Sequence, residues 1–307
     1  MTRERDTGDN KKWNSRARLL AAVLRRYPLQ SGNFRIVDSP FFGRMVPRED
    51  RTAWCPSPGG DLLVPLNDAV GRCIYFTGDY DKKITWLCRT ILDRKDTALD
   101  IGANLGVVTL AMSKFVGPGG TVHAFEPNPR LQPLIRSSLE RNCVRNVVLH
   151  EVALGAEDAE LELHIPTANL GQGSLVCHRD HPYKEVHKCR VVRLTDVVRQ
   201  QRIQSLRLVK LDVEGFENEV LRGAEEVLSE LRPCIIVEVI GASDVAFRRR
   251  PVIITLLRHR YQMLAVPRSA LRPTVHTFDE TCQSPPSHDI LAVPEEQLRD
   301  VMNRFAA

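Results

Sequence analysis

The chain has 307 residues, of which 43% are hydrophobic and 26% are charged. This length and composition suit one large α/β domain, alone or with a small addition, and exclude a disordered or fibrous protein. The 43 basic and 38 acidic residues give a formal net charge of +5. Because they are interleaved along the sequence, the charge does not indicate a nucleic-acid-binding protein.

The eight cysteines include no Cys-x-x-Cys pair, and several lie inside apolar runs. This pattern predicts reduced cysteines in the core of a cytoplasmic protein. The apolar run near the N-terminus, residues 19–24, is too short for a secretory signal or a membrane span. The sequence therefore predicts no transmembrane segment.

The first 78 residues are predicted to form a small N-terminal extension. Residues 13–26 place apolar side chains at helical spacing among lysines and arginines, which predicts a basic amphipathic helix. Such a helix could contact a membrane or an acidic partner weakly, but the short apolar stripe favours a solvated helix packed on the domain. Short apolar runs at 34–37, 62–64 and 73–76 predict small strands.

Residues 79–307 are predicted to form the main domain, because long periodic segments alternate there with short apolar runs, as in repeated βαβ units around a mostly parallel sheet. The predicted helices are residues 82–92, 107–115, 130–141, 217–231, 252–258 and 295–305. The predicted strands are residues 97–99, 121–125, 147–152, 189–194, 206–211, 234–239, 263–266 and 290–293.

The strongest functional signal is a strand that runs into the turn Asp100-Ile-Gly-Ala-Asn-Leu-Gly106 and then into a helix. Gly102 and Gly106 allow a tight turn and the close approach of a ligand to the main chain. Glu126 follows twenty residues later, at the predicted end of the next strand, where it could accept hydrogen bonds from both ribose hydroxyls of a nucleoside.

A dinucleotide-binding fold would carry an acidic residue at the same distance, so other features must separate the two classes. Asn104 replaces the second glycine of the Gly-x-Gly-x-x-Gly fingerprint. A carboxylate at Asp100 would repel a pyrophosphate but suits a cofactor with an ammonium and a sulfonium. The sequence thus favours S-adenosylmethionine over NAD or FAD, with simple capping of a strand-to-helix turn as the lesser alternative.

These segments resemble the FkbM-type methyltransferases, class I S-adenosylmethionine-dependent O-methyltransferases of natural-product and glycan pathways. The resemblance covers residues 78–294, and its motifs include 78–81, 100–106, 124–129, 153–155, 171–174, 210–217 and Glu238. It implies an α/β, Rossmann-like class I methyltransferase fold with a mostly parallel seven-stranded sheet and helices on both faces. The candidate cofactor-binding residues are Asp100, Gly102, Asn104, Gly106, Glu126, Pro127 and Ala153.

Two carboxylates, Asp212 and Glu214, follow the strand predicted at 206–211, and ligands of open parallel sheets lie beyond the carboxyl ends of the strands. Either could remove a proton from an acceptor hydroxyl, and Asp212 is the favoured base because it is nearest the strand tip. Magnesium ligation and capping of the next helix stay open as alternatives. Lys210 and Glu238, also at strand ends, could form a structural ion pair or take a functional role.

The sequence therefore predicts an enzyme that transfers a methyl group from S-adenosylmethionine to a hydroxyl of a small molecule, natural product or glycan. The alternatives are a cofactor-binding protein without catalysis and a nucleic-acid methyltransferase. Nucleic acid is not expected as a partner, because residues 212–215 do not form the Asn/Asp-Pro-Pro-aromatic segment of base-flipping enzymes. The His/Cys-rich residues 177–189 lack close cysteine spacing, so a loop over the acceptor pocket is favoured over a metal site.

Overall fold

A computed structural model describes residues 8–26, 37, 42, 45, 52–166, 170–176, 183–239, 247–266, 274–278 and 288–306. The strands are β1 (Thr52–Pro56), β2 (Asp61–Pro65), β3 (Thr97–Ile101), β4 (Thr121–Phe125), β5 (Val147–His150), β6 (Ala153–Leu154), β7 (Ala159–Pro166), β8 (Tyr183–Val192), β9 (Leu208–Leu211), β10 (Cys234–Glu238), β11 (Tyr261–Ala265), β12 (His276–Thr277) and β13 (Asp289–Pro294). The helices are α1 (Gly8–Arg25), α2 (Ala69–Thr77), α3 (Lys82–Ile91), α4 (Val107–Val116), α5 (Gln132–Arg141), α6 (Leu194–Gln200), α7 (Glu217–Arg222), α8 (Pro251–Arg258) and α9 (Leu298–Ala306).

The central sheet has the strand order β12-β11-β13-β10-β9-β3-β4-β5. Neighbours from β10 to β5 are parallel, whereas β13 runs antiparallel to both β10 and β11. The predicted mostly parallel α/β sheet is confirmed. The two-residue strand β12 adds an eighth strand at one edge.

The two faces of this sheet bury separate apolar clusters, because successive side chains of a strand point to opposite sides. In β3, Ala98 belongs to one cluster, whereas Leu99 and Ile101 belong to the other. Helices α3 and α4 contribute to the first cluster, and α6, α7 and α8 contribute to the second. The strands therefore form the middle layer of a three-layer fold.

The neighbours β3 and β9 form the switch point of the sheet. The chain continues from β3 to β4 on one side and from β9 to β10 on the other. Loops that leave such a pair diverge, so a crevice opens above the carboxyl ends of the two strands. The turns at 102–106 and 212–216 both lie at this crevice.

Two smaller sheets accompany the central sheet. Strands β6, β8 and β7 form a three-stranded sheet, and β1 pairs with β2. The backbone of Ser174 pairs with that of His164 in β7, which fixes residues 170–176 to this sheet. The Leu170 N–H also donates to the Asp68 carboxylate at 2.7 Å, which ties the same segment to the start of α2.

Two predicted elements were wrong. Residues 73–76 lie in helix α2, which begins where the Asp68 side chain accepts from Gly71 N–H and ends at Gly78, a residue in the left-handed conformation. The helix predicted at 217–231 is interrupted after α7, where a Cβ on Gly223 would lie 1.9 Å from the Gly155 carbonyl oxygen. The chain then resumes as a π-helical turn, Val227–Leu231. The prediction also missed helix α6. Of the run predicted at 34–37, residues 34–36 lie outside the described residues.

Within the described part of the chain, no helix combines the length and the apolar character that crossing a bilayer requires.

Candidate functional site

A cavity of about 500 Å³ occupies the crevice above β3 and β9. Six of the candidate site residues line it: Gly102, Asn104, Glu126, Pro127, Asp212 and Glu214. Asp100, Gly106 and Ala153 lie outside its lining. The turns after β3, β4 and β9 thus meet around one space, as the positions of their residues in the sequence predict.

Gly102 brings the two turns at the switch point together. It has a φ of +78°, and a Cβ added to it would lie 1.9 Å from the carbonyl oxygen of Asp212. The sequence predicted a glycine here so that a ligand could approach the main chain. In the structure, the contact that requires a glycine is with the loop after β9. Gly102 therefore sets the distance between the two turns that line the cavity.

Glu126 is held in place from both oxygens. Its Oε2 accepts from the Asn104 N–H at 2.7 Å, and its Oε1 accepts from the Asn128 N–H at 2.9 Å. Burial raises the pKa of Glu126 to about 7, although both backbone hydrogen bonds favour the carboxylate. A carboxylate fixed in this way keeps lone pairs free for a ligand in the cavity.

The Lys210 side chain contacts both turns at the switch point, 102–106 and 212–216. Its Nζ donates to the Gly102 carbonyl oxygen at 2.6 Å and lies 3.5 Å from Asp100 Oδ1 and 3.6 Å from Asp212 Oδ2. Burial lowers the pKa of Lys210, but the charges of Asp100 and Asp212 outweigh it and raise the pKa above its usual range. Lys210 therefore pairs with Asp100 and Asp212, and not with Glu238 as the sequence had suggested.

Asp100 is fully buried and its Oδ2 accepts from Thr109 Oγ1 at 2.5 Å. Burial raises its pKa, against the opposing effects of Lys210 and Thr109. Because Lys210 lies between Asp100 and the cavity, the charge of Asp100 acts on a ligand through that ammonium group. Direct contact between Asp100 and a cofactor stays a prediction.

Asp212 and Glu214 open into the cavity without capping α7. The carboxylate of Glu217 accepts from the N–H groups of Val213 and Gly215 at 3.0 and 3.2 Å, and the N-cap residue makes no side-chain cap hydrogen bond. Burial, and next the charge of Asp212, raise the pKa of Glu214 to about 7. Glu217, and not Asp212 or Glu214, therefore binds the backbone N–H groups before α7. The carboxylates of Asp212 and Glu214 stay available for a substrate.

The cavity also contains charged residues beyond the candidate cofactor-binding and catalytic residues. Lys83 bonds to Asp81, its neighbour at the start of α3, and to Asp289 at 2.7 Å. Glu238 lines the same end, where burial and the charge of Asp212 raise its pKa to about 8. Asp289 could not be predicted as a site residue because only the antiparallel direction of β13 brings it to this edge. Lys83 could not be predicted because nothing in the sequence marks a lysine near a helix start as buried.

Among the residues that the structure describes, no three His, Cys, Asp or Glu side chains are grouped to hold a metal ion. Residues 177–182 of the predicted His/Cys loop lie outside the described residues. The prediction of a loop is wrong for residues 183–189, which belong to β8. There His187 bonds to Glu185 at 3.0 Å and Cys189 is buried.

The strand order, the reversed strand β13 and the glycine turn at the switch point together define the Rossmann-like fold of class I methyltransferases. The chain belongs to the FkbM methyltransferase family, since the family described as "Methyltransferase FkbM domain" matches residues 100–263, which is more than half of its length.

Two curated relatives are similar to part of the chain. "Methyltransferase 1" of Beauveria bassiana (strain ARSEF 2860) is 31% identical over 157 residues, which are 46% of this chain and 63% of that protein. "31-O-demethyl-FK506 methyltransferase FkbM" of Streptomyces tacrolimicus is 30% identical over 161 residues, which are 43% of this chain and 60% of that protein. The matches thus span less than two thirds of either relative.

Among solved structures, that of methyltransferase FkbM from Methylobacillus flagellatus KT is similar to part of this chain. It shares 16% sequence identity and a TM-score of 0.39, over 66% of this chain and 44% of that one.

Proposed function

We propose that the protein transfers the methyl group of S-adenosylmethionine to a hydroxyl of a small molecule, natural product or glycan. The observation that carries the proposal is the shared cavity, in which the fixed carboxylate of Glu126 faces the same space as Asp212 and Glu214. Family membership supports the methyl transfer. The acceptor class rests on the site and on the names of relatives.

The cavity fits S-adenosylmethionine in its chemistry. Asn104 has a φ of +53° and a buried Oδ1 without a hydrogen-bond partner, which leaves an acceptor at the turn, and Glu126 offers two oxygens to ribose hydroxyls. The bound cofactor would supply an electrophilic methyl group on a sulfonium.

The charge of the cavity separates this cofactor from a dinucleotide. Its two basic lining residues in the described part of the chain, Lys83 and Lys210, each lie between two carboxylates. A pyrophosphate would therefore meet acidic side chains whose positive neighbours are already engaged, whereas a cation is favoured there.

Methyl transfer is an in-line displacement, so the protein has to orient the acceptor oxygen and accept its proton as the new bond forms. The Asp212 side chain is 41% exposed and lies at the tip of β9, where it can reach an acceptor. Glu214 has a pKa of about 7, which is the proton affinity expected of a base that exchanges protons at neutral pH. We assign proton removal to Asp212, with Glu214 as its neighbour in the same carboxylate pair.

A hydroxyl acceptor is supported by two observations. The name of the Streptomyces tacrolimicus relative describes methylation at an oxygen of its substrate. The walls of the cavity beyond the carboxylates are apolar and include Ile74, Leu163, Leu170 and Phe216. Such walls suit a carbon skeleton that presents one hydroxyl to a polar centre.

The test is to separate binding from chemistry in Asp212→Asn and Glu214→Gln, with cofactor affinity measured by calorimetry and turnover measured on a panel of hydroxylated acceptors. For Asp212→Asn we expect cofactor affinity within a few-fold of wild type and turnover lower by a factor on the order of a hundred. Full turnover of this variant would refute the assignment. A wild-type rise of activity centred near pH 7 that disappears in Glu214→Gln would transfer the role of base to Glu214.

The same experiment addresses the remaining alternatives. Cofactor binding without turnover on any acceptor would favour a non-catalytic binding protein. Turnover on oligonucleotides alone would favour a nucleic-acid methyltransferase, against the expectation from the acidic cavity.

A further inference from the structure

Helix α1 leaves one of its faces uncovered. Its Ala17 and Ala21 are each 1% exposed and belong to the apolar cluster that includes α2. Leu19 and Val23, by contrast, are 71% and 58% exposed, more than the other large hydrophobic side chains of the described residues. The helix therefore has an inner apolar face that is buried and an outer apolar pair that is not.

Arginines flank this outer pair on the same face. At about 100° per residue, Arg16, Leu19, Val23 and Arg26 fall within an arc of roughly 80°. Both arginines are exposed, and the Arg26 N–H continues the last turn by donating to the Val23 carbonyl oxygen at 3.1 Å. The outer face is thus a short apolar row with a cation at each end.

The excess of basic over acidic residues in the chain lies in its N-terminal segment. Residues 1–26 contain eight Lys and Arg and three Asp and Glu, an excess of five that equals the formal net charge of the chain. Residues 27–307 therefore carry as many acidic as basic side chains. The overall charge of +5 belongs to the N-terminal segment.

From these observations we propose that the outer face of α1 docks on the surface of an anionic lipid bilayer. An amphipathic helix of this kind inserts its apolar side chains among the headgroups while its arginines contact lipid phosphates. A protein partner fits less well, because two side chains fall far short of the roughly 800 Å² per partner that a stable protein interface buries.

Docking in this way would keep the cavity close to the lipid surface. The Arg25 guanidinium of α1 donates to the Tyr75 carbonyl oxygen of α2, and Val70 and Ile74 of α2 line the cavity. The helix that meets the bilayer is therefore packed directly on a wall of the site.

The test is flotation of the full chain with vesicles of phosphatidylcholine, alone or mixed with phosphatidylglycerol. Two double variants remove the proposed contacts, Leu19→Glu with Val23→Glu and Arg16→Glu with Arg26→Glu. Two matched controls make the same pairs of charge changes at exposed residues elsewhere, Val148→Glu with Val186→Glu and Arg145→Glu with Arg190→Glu. Circular dichroism melting establishes that each variant is folded.

We expect wild type and both controls to float with the mixed vesicles and to remain unbound with phosphatidylcholine alone. Either double variant should lose at least ten-fold in vesicle affinity, and high salt should release the wild-type protein because the attraction of exposed charges is screened. Hydrogen exchange at residues 15–26 should slow on binding. Absence of wild-type binding, equal binding to both kinds of vesicle, or equal losses in the controls would overturn the proposal.

Discussion

The contact between Lys210 and Asp100 allows a quantitative prediction for Lys210→Met. This change removes the ammonium that lies 3.5 Å from Asp100 Oδ1 and leaves a fully buried carboxylate without a cation. Removing one partner of a buried pair usually costs about 3–5 kcal/mol. The cost at pH 7 cannot much exceed about 4 kcal/mol, because the carboxyl, with an unfolded pKa of about 3.9, can take up a proton instead. Because burial already raises the pKa of Asp100 in wild type, part of this cost is present before the substitution, and we expect the free energy of unfolding to fall by about 2 to 4 kcal/mol.

The pH dependence of this loss has a definite sign. Burial raises the folded pKa of Asp100 above the unfolded one in wild type, and loss of the Lys210 ammonium raises it further, so the folded variant binds a proton at pH values where folded wild type does not. The loss should therefore shrink by up to about 1.4 kcal/mol for each unit that the pH is lowered below neutral, until Asp100 is protonated in folded wild type as well.

Urea unfolding of wild type, Lys210→Met and the double variant with Asp100→Asn tests this reasoning. The double variant should recover most of the loss, because no uncompensated charge remains. Lys188→Met, which breaks an exposed pair with Glu160, should leave the midpoint unchanged. A loss in Lys210→Met that is independent of pH, or that persists in the double variant, would show that Lys210 matters for its packing and not for its charge.

Two further predictions concern stability. Gly102→Ala should lower the free energy of unfolding, measured in urea, by at least about 2 kcal/mol, since its Cβ would lie 1.9 Å from the Asp212 carbonyl oxygen. Gly106→Ala is the control, because Gly106 also has a positive φ but the nearest Ile135 side-chain atom lies 3.4 Å away, and it should cost about half as much. Equal losses in the two variants would contradict the role of the Gly102 contact. The stacked rings of His123 and His150 share a 3.0 Å hydrogen bond, and burial and His150 lower the pKa of His123 to about 4. The unfolded chain, with a His pKa of about 6.5, then binds a proton that the folded chain does not, so stability should fall by roughly 1 kcal/mol between about pH 7 and pH 5. His123→Phe should flatten this dependence, and an unaltered slope would refute its origin in the histidine pair.

The glycine turn and the sheet could be predicted from the sequence because their signals are local. Asp100, Gly102 and Gly106 follow one apolar strand directly, and Glu126 ends the next strand at the spacing of a nucleoside site. Helix α2 had local signals as well, in Asp68 and Gly78. They were outweighed by the apolar residues at 73–76, which suit a short strand equally well.

The partners of charged residues could not be predicted in this way. Asp100 and Lys210 are 110 residues apart in the chain, and only the register between β3 and β9 places them opposite each other. Lys83 meets Asp289 because β13 is antiparallel and begins at the edge where its neighbour β10 ends. Such pairings depend on the strand order, which periodicity along a single segment does not contain.

The central claim is that the cavity binds S-adenosylmethionine through Glu126. Calorimetric titration with S-adenosylmethionine, S-adenosylhomocysteine and NAD tests it before any acceptor is known. We predict binding of the first two and none of NAD, with S-adenosylmethionine affinity weakened by about 1 to 3 kcal/mol in folded Glu126→Ala and unchanged in the control Glu140→Ala on the exposed face of α5. Binding of NAD in preference to S-adenosylmethionine, or wild-type affinity in Glu126→Ala, would contradict the account.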